Sequence, residues 1–241
     1  MEVIEKWQAL TDELIAATVE VLKSGVVPPA NLFYSDPKII GILLMARTVS
    51  HAKGVRELVK KRRILEARIL TRNCLENCFW IGGLIDQGKT FVDEMIQDEQ
   101  KRRVSRGQLL FENQMIFDAD AAKKLRDWMK DRKHWKDSKT LNPKVVADGT
   151  SFDGAYIFYA ELSVDAHPGL EALRRYLASN DDDAEILLEP GINLSEVLDT
   201  LHILAFALLT TVVGVDQLLG HGAGELMTKL TAEFQELEKA L

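Results

Sequence analysis

Apolar residues recur at three- and four-residue steps along most of this 241-residue chain, without the two-residue alternation of a half-buried strand. That spacing places them on one face of a helix, so the chain is constrained to helices packed on helices. Trp7, Leu10, Leu14, Ala17 and Val21 set the pattern over residues 2–23. A loop with Gly25, Pro28 and Pro29 ends it, and Ser35-Asp36-Pro37 supplies a cap followed by proline at a first helical position. The second helix begins nearly all apolar over 39–46, and Gly54 is a place for it to bend. The basic cluster Lys60-Lys61-Arg62-Arg63 marks an exposed turn into a third helix, which ends near Asp86-Gln87-Gly88. Two long helices joined so closely are expected to lie antiparallel.

Further along, Thr90 and Asp93 have the spacing of a capping box, opening a fourth helix over 91–116. A fifth, over 119–135, is the most basic in the chain, with Leu125, Trp128 and Met129 interleaved among its cations. Residues 137–150 read as a loop around Pro143 and Gly149, and a helix over 156–166 stops before Pro168. A short helix over 170–177, a turn at Asn180-Asp181-Asp182-Asp183 and a short extended piece over 186–188 follow. Asn193 or Ser195 can cap the next helix, which is apolar on nearly all sides over 203–213 and stops near Gly220. A last helix over 225–241 carries Leu226, Leu230, Phe234, Leu237 and Leu241 on one stripe. No strand-helix-strand alternation appears, which excludes a parallel sheet. The expected fold is all-α, a single-domain helical bundle of about seven helices, with 1–36 as an N-terminal helix and loop and 37–241 as the bundle core.

Composition narrows the function classes. With 46% apolar and 28% charged residues the chain is globular rather than disordered. The apolar run 203–213 is about half of the roughly 20 residues a spanning helix needs, so no membrane partner is expected. The start of the chain carries Glu2, Glu5 and Asp12 where a signal peptide would be basic and then apolar, and a cytoplasmic location is the expectation. Cys74 and Cys78, one helical turn apart, form neither a redox motif nor a metal ladder and read as reduced core thiols. The net charge of −7 conceals an asymmetry: residues 51–144 hold 22 Lys and Arg against 14 Asp and Glu, the remainder 8 against 23. Either the two regions complement each other, or the basic middle is a nucleic-acid surface, carried by Arg102, Arg103, Arg106, Arg126, Lys130, Arg132 and Lys133.

The third helix carries the candidate site. Arg72 and Glu76 sit one turn apart in the apolar run Arg68-Ile69-Leu70-Thr71-Arg72-Asn73-Cys74-Leu75-Glu76-Asn77-Cys78-Phe79-Trp80. Charges in such a segment either pair structurally or serve a site, because isolated burial costs several kcal/mol. Arg47 and His51 repeat the spacing on the second helix, and Ser163 and His167 do so near the end of the helix over 156–166. If these meet, Arg47, His51, Arg72, Glu76, Ser163 and His167 form a polar ligand site suited to a small anion. In an enzyme, His167 would be the general acid-base, Arg72 would hold a phosphate or carboxylate, and Glu76 would orient it, which makes these three the catalytic candidates. Glu196, Asp199 and His202 are the one metal-like grouping, but a two-metal bundle needs a second copy of it, so no metal is expected. No cofactor is expected either, since Gly-x-Gly-x-x-Gly, a phosphate loop, Gly-x-Ser-x-Gly and His-Glu-x-x-His are all missing from the sequence.

The segments Ala67-Arg68-Ile69-Leu70-Thr71-Arg72-Asn73-Cys74-Leu75-Glu76 with Phe79-Trp80, and Tyr156-x-x-Tyr159-x-x-Leu162-Ser163-x-x-x-His167-Pro168, resemble an uncharacterised bacterial helical family, the domain of unknown function 5677. The resemblance runs from Ile40 to Leu177 and implies an all-helical domain with Arg72, Glu76, Ser163 and His167 at the family's marked positions; it brings no established activity. A more distant comparison is with the RNA-cleaving helical HEPN class, found in toxin and phage-defence systems and recognised by an Arg followed a few residues on by His. Arg47 and His51 are spaced too closely for that motif, Arg126 and His134 too widely, and Arg72-Asn73 has no His after it. Two expectations follow. The first is an interaction or small-anion-binding protein, a homodimer through the apolar helix over 203–213; the alternative is a hydrolase of the RNA-cleaving type.

Overall fold

A computed structural model of the chain describes residues 2–24, 35–116, 118–179, 184–188, 190–220 and 224–241. Their helices are α1 (Glu2–Ser24), α2 (Pro37–Lys60), α3 (Ile64–Gln87), α4 (Lys89–Glu112), α5 (Ala119–Asp131), α6 (Pro143–Ala147), α7 (Tyr156–Ala166), α8 (Leu170–Arg174), α9 (Leu194–Leu219) and α10 (Glu225–Glu238). One antiparallel hairpin pairs β1 (Leu177–Ser179) with β2 (Ala184–Ile186). The fold is all-α. It has more helices than the seven expected, partly because α6, five residues long, is too short to show a period. The expected loop at Gly25, Pro28 and Pro29 and the turn over 180–183 lie outside the described residues.

Local chemistry accounts for most boundaries. The Asp36 carboxylate accepts from Lys38 N at 2.8 Å, with Pro37 opening α2. Asn193, rather than Ser195, caps α9 by accepting from Ser195 N, and Gly220 ends that helix at φ +79°. Two expectations are corrected. Gly88 opens α4 with no side-chain cap, and Asp93 pairs with Lys89 instead of forming a capping box with Thr90. The expected loop over 137–150 contains α6, where Asn142 caps Val145 N and Pro143 takes the first position. The basic helix α5 is also shorter than expected, passing into a 3-10 turn, Lys133–Asp137.

At the centre α3 packs between α2 and α9, while α1 and α10 cover α9, and α7 and α6 cover another side of α3. Contacts pairing Thr48 with Asn77, and Gly54 with Leu70, confirm that α2 and α3 run antiparallel. One core cluster runs from Trp7, Leu10 and Leu14 of α1 through Cys74, Cys78 and Ile81 of α3 to Leu201, Leu204 and Leu208 of α9 and Phe234 of α10. By length and composition α9 could cross a membrane, but 67% of its apolar window is buried by the rest of the chain, as befits a core helix. That burial takes up much of the apolar segment expected as a dimer face, with Phe206 and Leu209 half-buried and Val213 exposed. Ile203, Leu204, Ala205, Ala207, Leu208 and Val212 are buried within the chain's own bundle.

Candidate functional site

The polar groups of α3 divide by helical face. Arg68 and Arg72, four apart, point at α7, which lies antiparallel with 165 beside 68 and 159 beside 72. Arg68, 3% exposed, is more deeply buried than Arg72, the arginine the sequence pattern favoured. Its Nε donates to Asp165 Oδ2, and its Nη2 donates to Glu161 Oε1 at 3.0 Å. Burial works against the guanidinium charge, but the bonds from Asp165 and Glu161 outweigh it and raise the pKa above the ordinary arginine value. Arg175, just after α8, lies 3.0 Å from Asp165 Oδ1 at an angle too poor for a hydrogen bond, and it binds both oxygens of Glu196 at 2.8 Å. Arg68, Asp165, Arg175 and Glu196 thus tie α3, α7, α8 and α9 together. Arg68 Nη1 and Asp165 Oδ1 are buried without a hydrogen-bond partner.

One turn along, the Arg72 guanidinium lies over the Tyr159 ring at 4.2 Å. Its Nε donates to Ser163 Oγ at 2.9 Å, its Nη2 to the Tyr159 hydroxyl, and its Nη1 lies 3.6 Å from Glu76 Oε2. Ser163 in turn donates to the Tyr159 carbonyl at 2.7 Å, so its hydroxyl is occupied both ways and is no poised nucleophile. Burial raises the Tyr159 pKa, which Arg72 opposes and Glu76 reinforces. The Arg72 and Glu76 side chains are 19% and 28% exposed, a partly open pair rather than the sealed one the sequence suggested.

His167 does not join them. It caps the C-terminus of α7 in an extended conformation, is exposed, and among the described residues its ring makes no hydrogen bond or ion pair. Because α7 runs antiparallel to α3, each residue from 159 toward 167 leads away from Glu76. Arg47 and His51 belong to a different face of α3. Arg47 Nη1 donates to Asn77 Oδ1 at 2.6 Å, and Asn77 Nδ2 donates to Thr48 Oγ1 at 2.9 Å, which closes the α2–α3 seam. His51 is half-buried with Nδ1 unpaired, and burial first, then the Arg47 charge, lowers its pKa. The six expected ligand residues therefore split between two seams and the surface.

The remaining candidates disperse as well. Arg102 pairs with Asp98, and Arg103 and Arg106 share Glu99, so α4 neutralises its own arginines. On α5, Arg126 lies over Phe111 and Arg132 over Trp128, while Lys130 is exposed and has no acidic partner. The side chain of Lys133 lies outside the described residues. His202 is a core ring, stacked on Phe234, edge-on to Trp7 and 3.3 Å from Glu238, and it turns away from any grouping with Glu196. Burial raises the Asp199 pKa, helped by the Glu161 charge and opposed by Arg68 and His202. Among the described residues no three His, Cys, Asp or Glu side chains converge as metal ligands. Cys78 donates to the carbonyls of Cys74 and Ala207, each at 3.3 Å, and burial pushes its pKa up to about 12; Cys74 is pushed up too. Neither thiol is reactive.

Five clefts among the described residues are lined by none of Arg47, His51, Arg72, Glu76, Ser163 and His167. The cleft nearest the polar strip, about 90 Å³, includes Arg175 and Glu196, which already bind each other. A different feature stands out at α8 and the hairpin. Leu170, Leu173 and Leu177 are 84%, 51% and 53% exposed, and Ile186, directly across the hairpin from Leu177, is 77% exposed. Sequence periodicity missed this patch because α8 is a little over one turn long; the density of leucines around 170–177 was the available signal.

A family model described as Family of unknown function (DUF5677) matches residues 38–185. No curated protein matches the chain. No solved structure matches it either.

Proposed function

The chain belongs to this family of unknown function, matched over residues 38–185, and from that premise we propose that it is a protein-interaction module whose buried polar strip is structural. The observation that carries this is the apolar face of α8 and the hairpin, where Leu170, Leu173, Leu177 and Ile186 are each more than half exposed. Contiguous apolar surface larger than a few hundred Å² is rare on soluble folds, and the largest such patch is often where another molecule docks. Arg72, by contrast, directs its donors at Tyr159, Ser163 and Glu76, which leaves a small anion to compete with partners already in place. The RNA-cleaving alternative lacks support of this kind, because His167 is exposed and bonded to neither Arg72 nor Glu76. The two buried free thiols suit a reducing compartment, and a bacterial cytoplasm is the proposed setting.

The test is the double variant Leu170→Ser/Leu173→Ser. Side chains that serve binding rather than folding are expected to be replaceable within about 0.5 kcal/mol of folding stability. Urea unfolding at protein concentrations too low for self-association to add apparent stability that shows a loss of more than about 2 kcal/mol, the scale of a core truncation, sinks the proposal.

A further inference from the structure

We propose that the apolar face of α8 and the hairpin is covered by the same face of a second copy of this chain, in a two-fold symmetric homodimer. This rests on the reading of that face as a binding surface and adds its occupant.

The charges around the patch select the partner. Glu171 and Arg174 line one shallow cleft with the three leucines, both exposed and neither paired through its side chain among the described residues. Two other clefts differ in this respect. Between α1 and α10, Lys229 meets Glu13 and Glu233, Lys6 meets Glu2, and Glu236 meets Lys239. Beside α4, Arg103 meets Glu99. Here an acid and a base stand side by side, unpaired among the described residues, next to exposed leucines. An acid and a base three residues apart on one helix are self-complementary under a two-fold axis: an antiparallel copy sets Glu171 against Arg174 of its mate, and the reverse, over a shared leucine centre. A basic or an acidic partner would satisfy one of the two charges and oppose the other.

Size is consistent with this. A standard interface buries about 800 Å² on each partner around an apolar centre. Four large aliphatic side chains at these exposures supply such a centre.

Sedimentation velocity of the full chain at roughly 1 to 100 μM, the range in which modest interfaces associate, should give a mass twice the protomer's 27.1 kDa. Glu171→Arg and Arg174→Glu each place like charges opposite one another at both ends of the interface and should weaken association by roughly tenfold or more. The double reversal Glu171→Arg/Arg174→Glu should restore the dimer, a result that a merely damaged surface does not give. A wild type that stays at 27.1 kDa overturns the homodimer, as do single reversals that leave it intact or a double reversal that fails to restore it. A monomeric wild type whose Leu170→Ser/Leu173→Ser variant keeps its stability fails the dimer alone; loss of stability in that variant fails the binding face itself.

Discussion

Arg68 and Arg72 are the same residue type, one turn apart on the same helix, and their surroundings give them different weights. Arg68 is sealed against Asp165, whose side chain is only 2% exposed, whereas its second partner Glu161 is 52% exposed. Removing one member of a sealed pair strands the other charge, so Arg68→Met is expected to cost about 3–5 kcal/mol in urea unfolding. Glu161→Gln should cost at most about 1 kcal/mol, the value of a solvent-screened pair. An Arg68→Met protein within about 1 kcal/mol of wild type would mean that Arg175 alone suffices to hold Asp165. The helical period put 68, 72 and 76 on one face, and that much could be read in advance. Which of the two arginines is sealed could not, because Asp165 lies 97 residues further along the chain and only α7's antiparallel seat on α3 brings it there.

At the scale of elements, α3 and α9 approach where Gly214 faces Ile81. A Cβ at Gly214 would stand 2.6 Å from Ile81 Cγ2 and 3.3 Å from Ile85 Cδ1, on branched side chains held in the core. Alanine raises helix propensity by about 1 kcal/mol, but overpacking costs about 1–3 kcal/mol, so Gly214→Ala should lower the thermal midpoint. Gly54 of α2 makes the paired control. Its added Cβ meets only Leu70 Cδ1, at 3.0 Å, the end of a half-buried flexible side chain. Gly54→Ala is therefore expected to be neutral or stabilising by up to about 1 kcal/mol. Equal effects at the two sites would show that helix propensity, not the α3–α9 approach, governs both. Caps at Asp36 and Asn193 and the stop at Gly220 were readable because they act within a turn of their own residues. α6 escaped notice because five residues show no period, although Asn142-Pro143 was a start signal in plain view.

For the molecule as a whole, the family match and the core do not coincide. Residues 38–185 exclude α1, α9 and α10, yet these supply Trp7, Leu10, Leu14, Leu201, Leu204, Leu208 and Phe234 to the single core cluster. The matched segment alone would leave one side of α2 and α3 in water. Expressed without its neighbours, 38–185 is expected to retain helical circular dichroism but to unfold without a cooperative transition. A sharp transition in that fragment would show that the flanking helices decorate a self-sufficient domain.

Sequence by itself determined that this chain is helical, where α1, α2, α3 and α9 begin and end, and that α3 carries charges in an apolar setting, because period, capping and turn chemistry act over a few residues. Tertiary structure decided the rest. It sealed Arg68 instead of Arg72, parted His167 from Glu76, and turned the apolar residues of α9 inward while leaving the leucines of α8 in water. Each of these depends on which remote segment faces a given side chain, and burial, pairing and desolvation are properties of that meeting rather than of the residue alone.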